Sequence, residues 1–179
     1  MACGALTTGF DFECDDSSGG IQAGSILITQ YENIDKSTSV IAAGVITTLS
    51  QVVSTDFYRY SIKKEIANNI TTVTKDPVLG STFYESVFQM ALHKLSAAKN
   101  VELELLASKP IVIIYQDLND VYHLIGYDNG AEAFFGGTSD SQTGTAFADM
   151  NGYNIGVTAR EKHFPYTVDP TVIAGLSIA

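Results

Sequence analysis

A chain of 179 residues, 45% of them apolar, is long enough for one buried core, and no apolar run in it is long enough to span a bilayer as a helix. Ten Lys and Arg against twenty Asp and Glu leave a net charge of −10, which argues against direct binding to nucleic-acid phosphates. Thr, Ser, Ile, Val and Tyr abound, Trp is absent and only 17% of residues are charged, a composition that favours strands and suits a surface covered by partners.

Residues 1–20 are rich in Gly, Thr and Asp and end in Ser-Ser-Gly-Gly. They read as an N-terminal arm on which Phe10 and Phe12 are the docking side chains, for the arm's own body or for a neighbouring subunit. They carry no positive region followed by a sustained apolar one, so they do not read as a secretory signal and synthesis in the cytoplasm is expected. Cys3 and Cys14 have no His nearby and make a poor zinc site. They read as a reduced pair, with a disulfide left open.

Ile26–Tyr31 reads as the first strand and Glu32–Ser39 as a polar loop. Val40–Val53 is rich in Ile, Val and Thr and reads as one strand, or as two broken near Gly44. Phe57–Ile66 and Ile70–Thr74 are expected to pair across a turn at Ala67-Asn68-Asn69. The resulting arm carries Lys63, Lys64 and Glu65 on one limb and Thr71 and Thr72 on the other. Such an arm guards a sheet edge or pairs with another subunit.

Ser81–Lys94 fits both helical and strand spacing, and a strand is preferred. A helix follows from Ser96 to Ala107, capped by Ser96, with Ala98, Val101, Leu105 and Leu106 as its buried face and Lys99, Glu102 and Glu104 outside. Lys109-Pro110 stops it. Ile111–Gln116 and Val121–Tyr127 then flank the polar turn Asp117–Asp120, a strong hairpin signal. A Gly/Ser/Thr-rich loop and a final strand, Tyr153–Arg160, close the body. Beyond Pro165, residues 166–179 show no helix period and read as an extended C-terminal arm. The domain plan is therefore an arm over 1–20, a β-domain over 21–165 and an arm over 166–179. Strands interrupted once by a helix suit a β-sandwich or barrel with one flanking helix.

Catalytic signatures are missing. His93, His123 and His163 are scattered, no nucleophile elbow or phosphate loop follows a strand, and no carboxylate pair stands out. Asp149-Met-Asn-Gly152 lacks the further oxygen ligands of a calcium loop. A non-enzymatic protein without cofactor or metal is expected.

Three patches resemble tail-tube-like virion proteins of bacteriophages infecting Bacteroidota, including the tail hub and ring proteins of crAss-like phages. The first is Met-Ala-Cys-Gly-Ala-Leu-Thr-Thr-Gly-Phe-Asp-Phe-Glu-Cys-Asp with Gly-Gly-Ile21. The second joins Ala98–Ala107, Ile111–Tyr115 and Tyr122–Tyr127. The third runs from Gly144-Thr-Ala-Phe-Ala-Asp-Met-Asn-Gly-Tyr153 through Thr158–Lys162 to Phe164-Pro-Tyr. The match is one of pattern across most of the chain, with no chemically specific motif.

The resemblance implies a tail-tube-like fold whose copies close into hexameric or dodecameric rings and stack in the virion tail around an ejection channel. Genome DNA would pass without specific binding, and the acidic excess, which reads first as simple solubility, also suits walls that repel it. The implied partners are further copies and other tail or neck proteins, with no insertion into a membrane. Phe10, Phe12, Lys63, Lys64, Glu65, Thr71, Thr72, Phe164 and Tyr166 are the expected inter-subunit contacts. A head–tail connector, neck ring or tail terminator is a close alternative. A fibre or receptor-binding module, built on exposed aromatics such as Phe134, Phe135, Tyr153 and Phe164, is the alternative of another class.

Overall fold

A computed structural model describes residues 17–134 and 139–179. Phe10, Phe12, Cys3, Cys14 and Phe135 lie outside the described residues. The protein is mainly β. In chain order the elements are β1 (Ile26–Gln30), one 3-10 turn (Tyr31–Asn33), β2 (Ile34–Ala42), β3 (Val45–Gln51), β4 (Tyr58–Tyr60), β5 (Ala67–Asp76), β6 (Ser81–His93), α1 (Ala97–Ser108), β7 (Ile111–Gln116), β8 (Tyr122–Ile125), β9 (Ala131–Ala133), β10 (Asp140–Gln142), β11 (Gly152–Glu161), β12 (Tyr166–Val168) and α2 (Pro170–Gly175).

The strands join one mixed sheet in the order β2-β3-β12-β8-β7-β9-β11-β6-β5. β1 pairs with the other side of β7, since Ile113 lies opposite both Ile28 and Ile125, and β4 lies beyond β1. β10 adds to β11. Among the described strands, only β12 and β3 run parallel.

The sequence of β7 dictates how this sheet is covered. Ile111–Tyr115 is an unbroken apolar run, and side chains alternate between faces along a strand. Ile111, Ile113 and Tyr115 enter one core with Phe88, Met90, Ile155 and Val157, beneath Leu103 and Leu106 of α1. Val112 and Ile114 enter a second core with Leu27, Ile46, Phe57, Val168 and Val172. Both faces of β7 are thus dry. The rings of Phe88 and Tyr115 lie 5.3 Å apart although β6 and β7 are not neighbours in the sheet. The sheet therefore folds back over itself. Gly126 makes the turn from β8 toward β9 possible: its φ is +83°, and a Cβ there would sit 2.7 Å from the Ile111 carbonyl oxygen.

Several sequence expectations hold. The break near Gly44 is a tight turn in which Ala43 and Gly44 both have positive φ. Residues 81–94 form a strand over Ser81–His93. The helix is capped by Ser96, whose Oγ accepts from the Lys99 N–H at 3.4 Å. The β7–β8 hairpin turns where expected, with the Asp117 carboxylate accepting from Asn119 and Val121 N–H groups, both at 2.9 Å.

Four expectations are corrected. Glu32–Ser39 is not a loop, because most of it lies in β2. Its polar side chains face solvent on an irregular edge strand whose Asp35 carboxylate binds Ser37 and Thr38. Ala67-Asn68-Asn69 is not a turn and Phe57–Ile66 does not pair with Ile70–Thr74. β4 pairs with β1, while β5, which begins at Ala67, pairs over its whole length with β6. The helix buries Leu103 and Leu106, and Ala98, Val101 and Leu105 are exposed. Two apolar stripes coexist on α1, and packing rather than periodicity chooses between them.

Finally, residues 166–179 are not an extended arm. Tyr166–Val168 inserts between β8 and β3, Asp169 caps α2, and Ile178 bridges to Phe57. The second core is what draws them in, since Val168 and Val172 are buried there.

Ile114 is 0% exposed at the centre of the doubly covered strand. Ile114→Ala should lower unfolding stability in urea by about 2–5 kcal/mol, with little change for Val53→Ala at a solvent-exposed turn.

Candidate assembly surface

β5 is ten residues long and, among the described residues, bonds to β6 alone, so its other side carries a row of backbone N–H and C=O groups that none of them pairs. Its sequence, Ala-Asn-Asn-Ile-Thr-Thr-Val-Thr-Lys-Asp, contains no Pro, and its only charges are at the distal end. Ile70 and Val73 are exposed on it. This edge is β-prone and apolar in places, with blunting charges confined to Lys75 and Asp76 at its distal end.

The β5–β6 hairpin also overhangs its neighbour. β11 pairs with β6 from Tyr84 to His93, which leaves Ser81–Phe83 and the facing Thr74–Asp76 beyond it. At about 3.3 Å per residue the overhang is roughly 10 Å before the turn begins. Pro77-Val-Leu-Gly80 makes the turn, held by the Asp76 carboxylate, which accepts from the N–H groups of Val78 (2.8 Å) and Leu79 (3.0 Å). Val78 is 90% and Leu79 80% exposed at its tip. An aspartate cap fixes the turn while two aliphatic side chains point into solvent.

The expected contact residues divide into separate places. Thr71 lies opposite Ser86, with hydroxyls 2.8 Å apart, and Thr72 lies opposite Glu85, which pairs with Arg160 at 2.8 Å. One step further, Val73 lies opposite Tyr84, whose ring packs at 4.6 Å on the half-exposed Phe164. Thr71 and Phe164 thus lie on one face of the distal β5–β6–β11 sheet, and Thr72, with Glu85 and Arg160, on the other. Lys63, Lys64 and Glu65 lie apart, in the connection that leads into the start of β5, with Glu65 at φ +63°. Tyr166 sits in β12, with its ring edge-on to Tyr127 at 5.6 Å. The sequence reading did not single out the exposed Val78 and Leu79 or the Tyr84 beneath Phe164. The Pro-x-x-Gly turn between two strand-like runs was the available signal.

A second constellation lies where the β8–β9 loop, the end of β11 and β12 meet. His163 Nε2 is 2.7 Å from Asp128 Oδ2 and 2.7 Å from the Tyr166 hydroxyl. The Asp128 N–H donates to buried Glu161 at 2.9 Å, and the Asp128 carbonyl accepts from Lys36 at 2.8 Å and from Tyr31 at 2.5 Å. Lys36 in turn lies over the Tyr31 ring, 4.3 Å from its centroid. Burial pushes the Glu161 carboxyl above the usual carboxylate range despite the Asp128 N–H. Burial, with the Asp128 and Glu161 charges, moves the Tyr166 hydroxyl up to about 12. These contacts tie the β8–β9 loop to the end of β11 and to β12. Groups of three or more His, Cys, Asp or Glu with metal-binding geometry are absent among the described residues. The Asp117–His123 contact at 3.2 Å is likewise part of a turn.

No family model, curated protein or solved structure matches the chain.

Because the folded state raises the Glu161 pKa, its contribution favours folding below the unfolded carboxylate range and is lost as pH rises through the folded value. Glu161→Gln keeps an acceptor and removes the buried charge. It should raise stability by about 1 kcal/mol near pH 8 and by less near pH 4, measured by thermal unfolding. A variant less stable than the parent near pH 8 would show that the hydrogen bonds of the carboxylate outweigh its burial.

Proposed function

We propose that the protein is a structural component of a bacteriophage tail, a tube or hub ring whose copies close around the DNA ejection channel. The observation that supports this most is the ten-residue edge of β5, unpaired among the described residues and continued by an overhanging hairpin with an apolar tip. Edge strands of this kind join sheets across subunits, and a heterologous contact repeated with a closing rotation makes a ring. Such a ring would continue the sheet from copy to copy as a barrel or sandwich wall. The low charged content suits surfaces that become buried, and the acidic excess suits a channel that does not retain a polyanion. A connector or neck ring would use the same surface, and the particle's other proteins decide between them.

A receptor-binding module is the second reading, favoured by the exposure of Phe147 and Phe164. It predicts a trimer without a pore. Negative-stain electron microscopy over a concentration series separates the two. Six-fold or twelve-fold rings support the channel reading, and compact trimers overturn it.

Val78→Asp with Leu79→Asp should leave the unfolding midpoint within about 0.5 kcal/mol of the parent, because both side chains are already in solvent. The same pair should abolish rings or stacks in the micrographs. Unchanged particles would remove the hairpin tip from the interface.

A further inference from the structure

Phe147 is the most exposed large apolar side chain among the described residues, at 109%. The turn that carries it is fixed at both ends. The Asp149 carboxylate accepts from the N–H groups of Thr145 (2.8 Å) and Ala146 (2.6 Å). Beyond it, the Asn151 carbonyl accepts from the Lys94 N–H at 2.7 Å, and its side-chain oxygen from the Leu95 N–H at 3.0 Å. Residues 139–151 hold Asp140 and Asp149 and no Lys or Arg. A bare aromatic ring is thus held out on an acidic loop.

A surface of the opposite character lies between the β4–β5 connection, the end of β6 and α1. A cavity of about 420 Å³ opens there, a volume ample for a phenylalanine ring. Ile62, Leu92 and Leu103 give it an apolar wall, and Arg59, Lys63 and Lys99 line it as well. Lys64 and Lys94 are chain neighbours of lining residues, so five of the ten Lys and Arg gather here in a protein of net charge −10. Arg59, Lys63, Lys64 and Lys94 enter no ion pair among the described residues. Glu102 is the one carboxylate among the lining residues, and it accepts from the Tyr60 hydroxyl at 2.9 Å. The first turn of α1 adds no acidic residue, and the helix dipole is positive there.

Ring and cavity border the same end of β6. His93 lines the cavity, and its partner across the β6–β11 ladder is Gly152, which follows the Phe147 loop. Phe147 nonetheless stays out of its own chain's cavity, since its side chain is fully exposed. Two copies that meet at this end about a two-fold axis can each offer the ring to the other, which is the self-complementary contact of a symmetric dimer. Charge favours a second copy as the occupant, because one chain supplies both the acidic loop and the basic wall. We propose that Phe147 of one copy docks reciprocally in this cavity of a second copy, with its ring against Ile62, Leu92 and Leu103 and Asp149 toward Arg59 and Lys63. The contact is separate from the β5 edge and does not rest on the channel reading.

Phe147→p-benzoylphenylalanine puts a photoreactive ring at the same place in the full chain. Isotopically light and heavy chains are mixed over a micromolar concentration series and irradiated, and the linked peptides are mapped by mass spectrometry. Docking predicts adducts that join a light chain to a heavy one and end within residues 59–63, 91–93 or 99–103. Arg59→Glu with Lys63→Glu, or about 0.5 M salt, should lower their yield several-fold. Both side chains are exposed, so the unfolding midpoint should stay in place. The adducts should persist when Val78→Asp and Leu79→Asp are added, which separates this contact from any made by the hairpin tip. Adducts confined to single chains, adducts mapped to other surfaces, or adducts lost with the tip variants would overturn the proposal. So would a yield no higher than from Val53→p-benzoylphenylalanine, or one indifferent to both salt and charge reversal.

Discussion

The whole architecture depends on covering β7 twice. Five consecutive apolar residues cannot lie on a sheet surface without exposing two or three of them, and each such exposure costs about 1.5–3 kcal/mol. Strands β6 and β11 with α1 cover one face; β3, β12 and α2 cover the other. The remaining features follow from these two demands. The sheet must fold over to bring Phe88 onto Tyr115, and residues 166–179 must return across the body to place Val168 and Val172.

What the core does not need is left at the margins. The β5–β6 hairpin runs past the strand that supports it, and its most distal side chains contribute nothing to either core. The fold thus separates two tasks. Interior strands secure the body of the fold, while a peripheral ribbon carries apolar surface outward at little expense to stability. The Asp128–His163–Tyr166 cluster belongs to the first task, since it ties the β8–β9 loop to the end of β11 and to β12.

Elements governed by local chemistry were legible in the sequence. Ser96 and Lys109-Pro110 bracket α1, Asp117 and Asn119 mark the β7 hairpin, and Gly44 marks the break between β2 and β3. Elements governed by distant partners were not. Asp35–Ser39 looks like a loop because an edge strand needs no apolar face there. Asn68-Asn69 looks like a turn until β6 offers a ladder for it. Tyr166–Ile178 looks unstructured because its apolar residues have meaning only against Ile46, Leu124 and Phe57. The two stripes on α1 differ by about one residue's rotation, a difference that no count of apolar positions can resolve. Of the expected contacts, Thr71, Thr72 and Phe164 lie in and beside the β5–β6 hairpin, whereas Lys63 lies in the connection that precedes β5.

The position of β12 carries a consequence for biosynthesis. This strand lies between β3 and β8, so Val45 and Ile46 wait for Thr167 and Val168, each 122 positions later in the chain. At roughly 5–20 residues per second of elongation, the ribosome keeps that seam open for about 6–24 seconds. During this interval the nascent β3 presents an unsatisfied edge and an uncovered Ile46, a state for which chaperones and misplaced strands compete. The last of the described strands is the bolt that closes the sheet, so the fold acquires its finished shape only after the other described strands have been made.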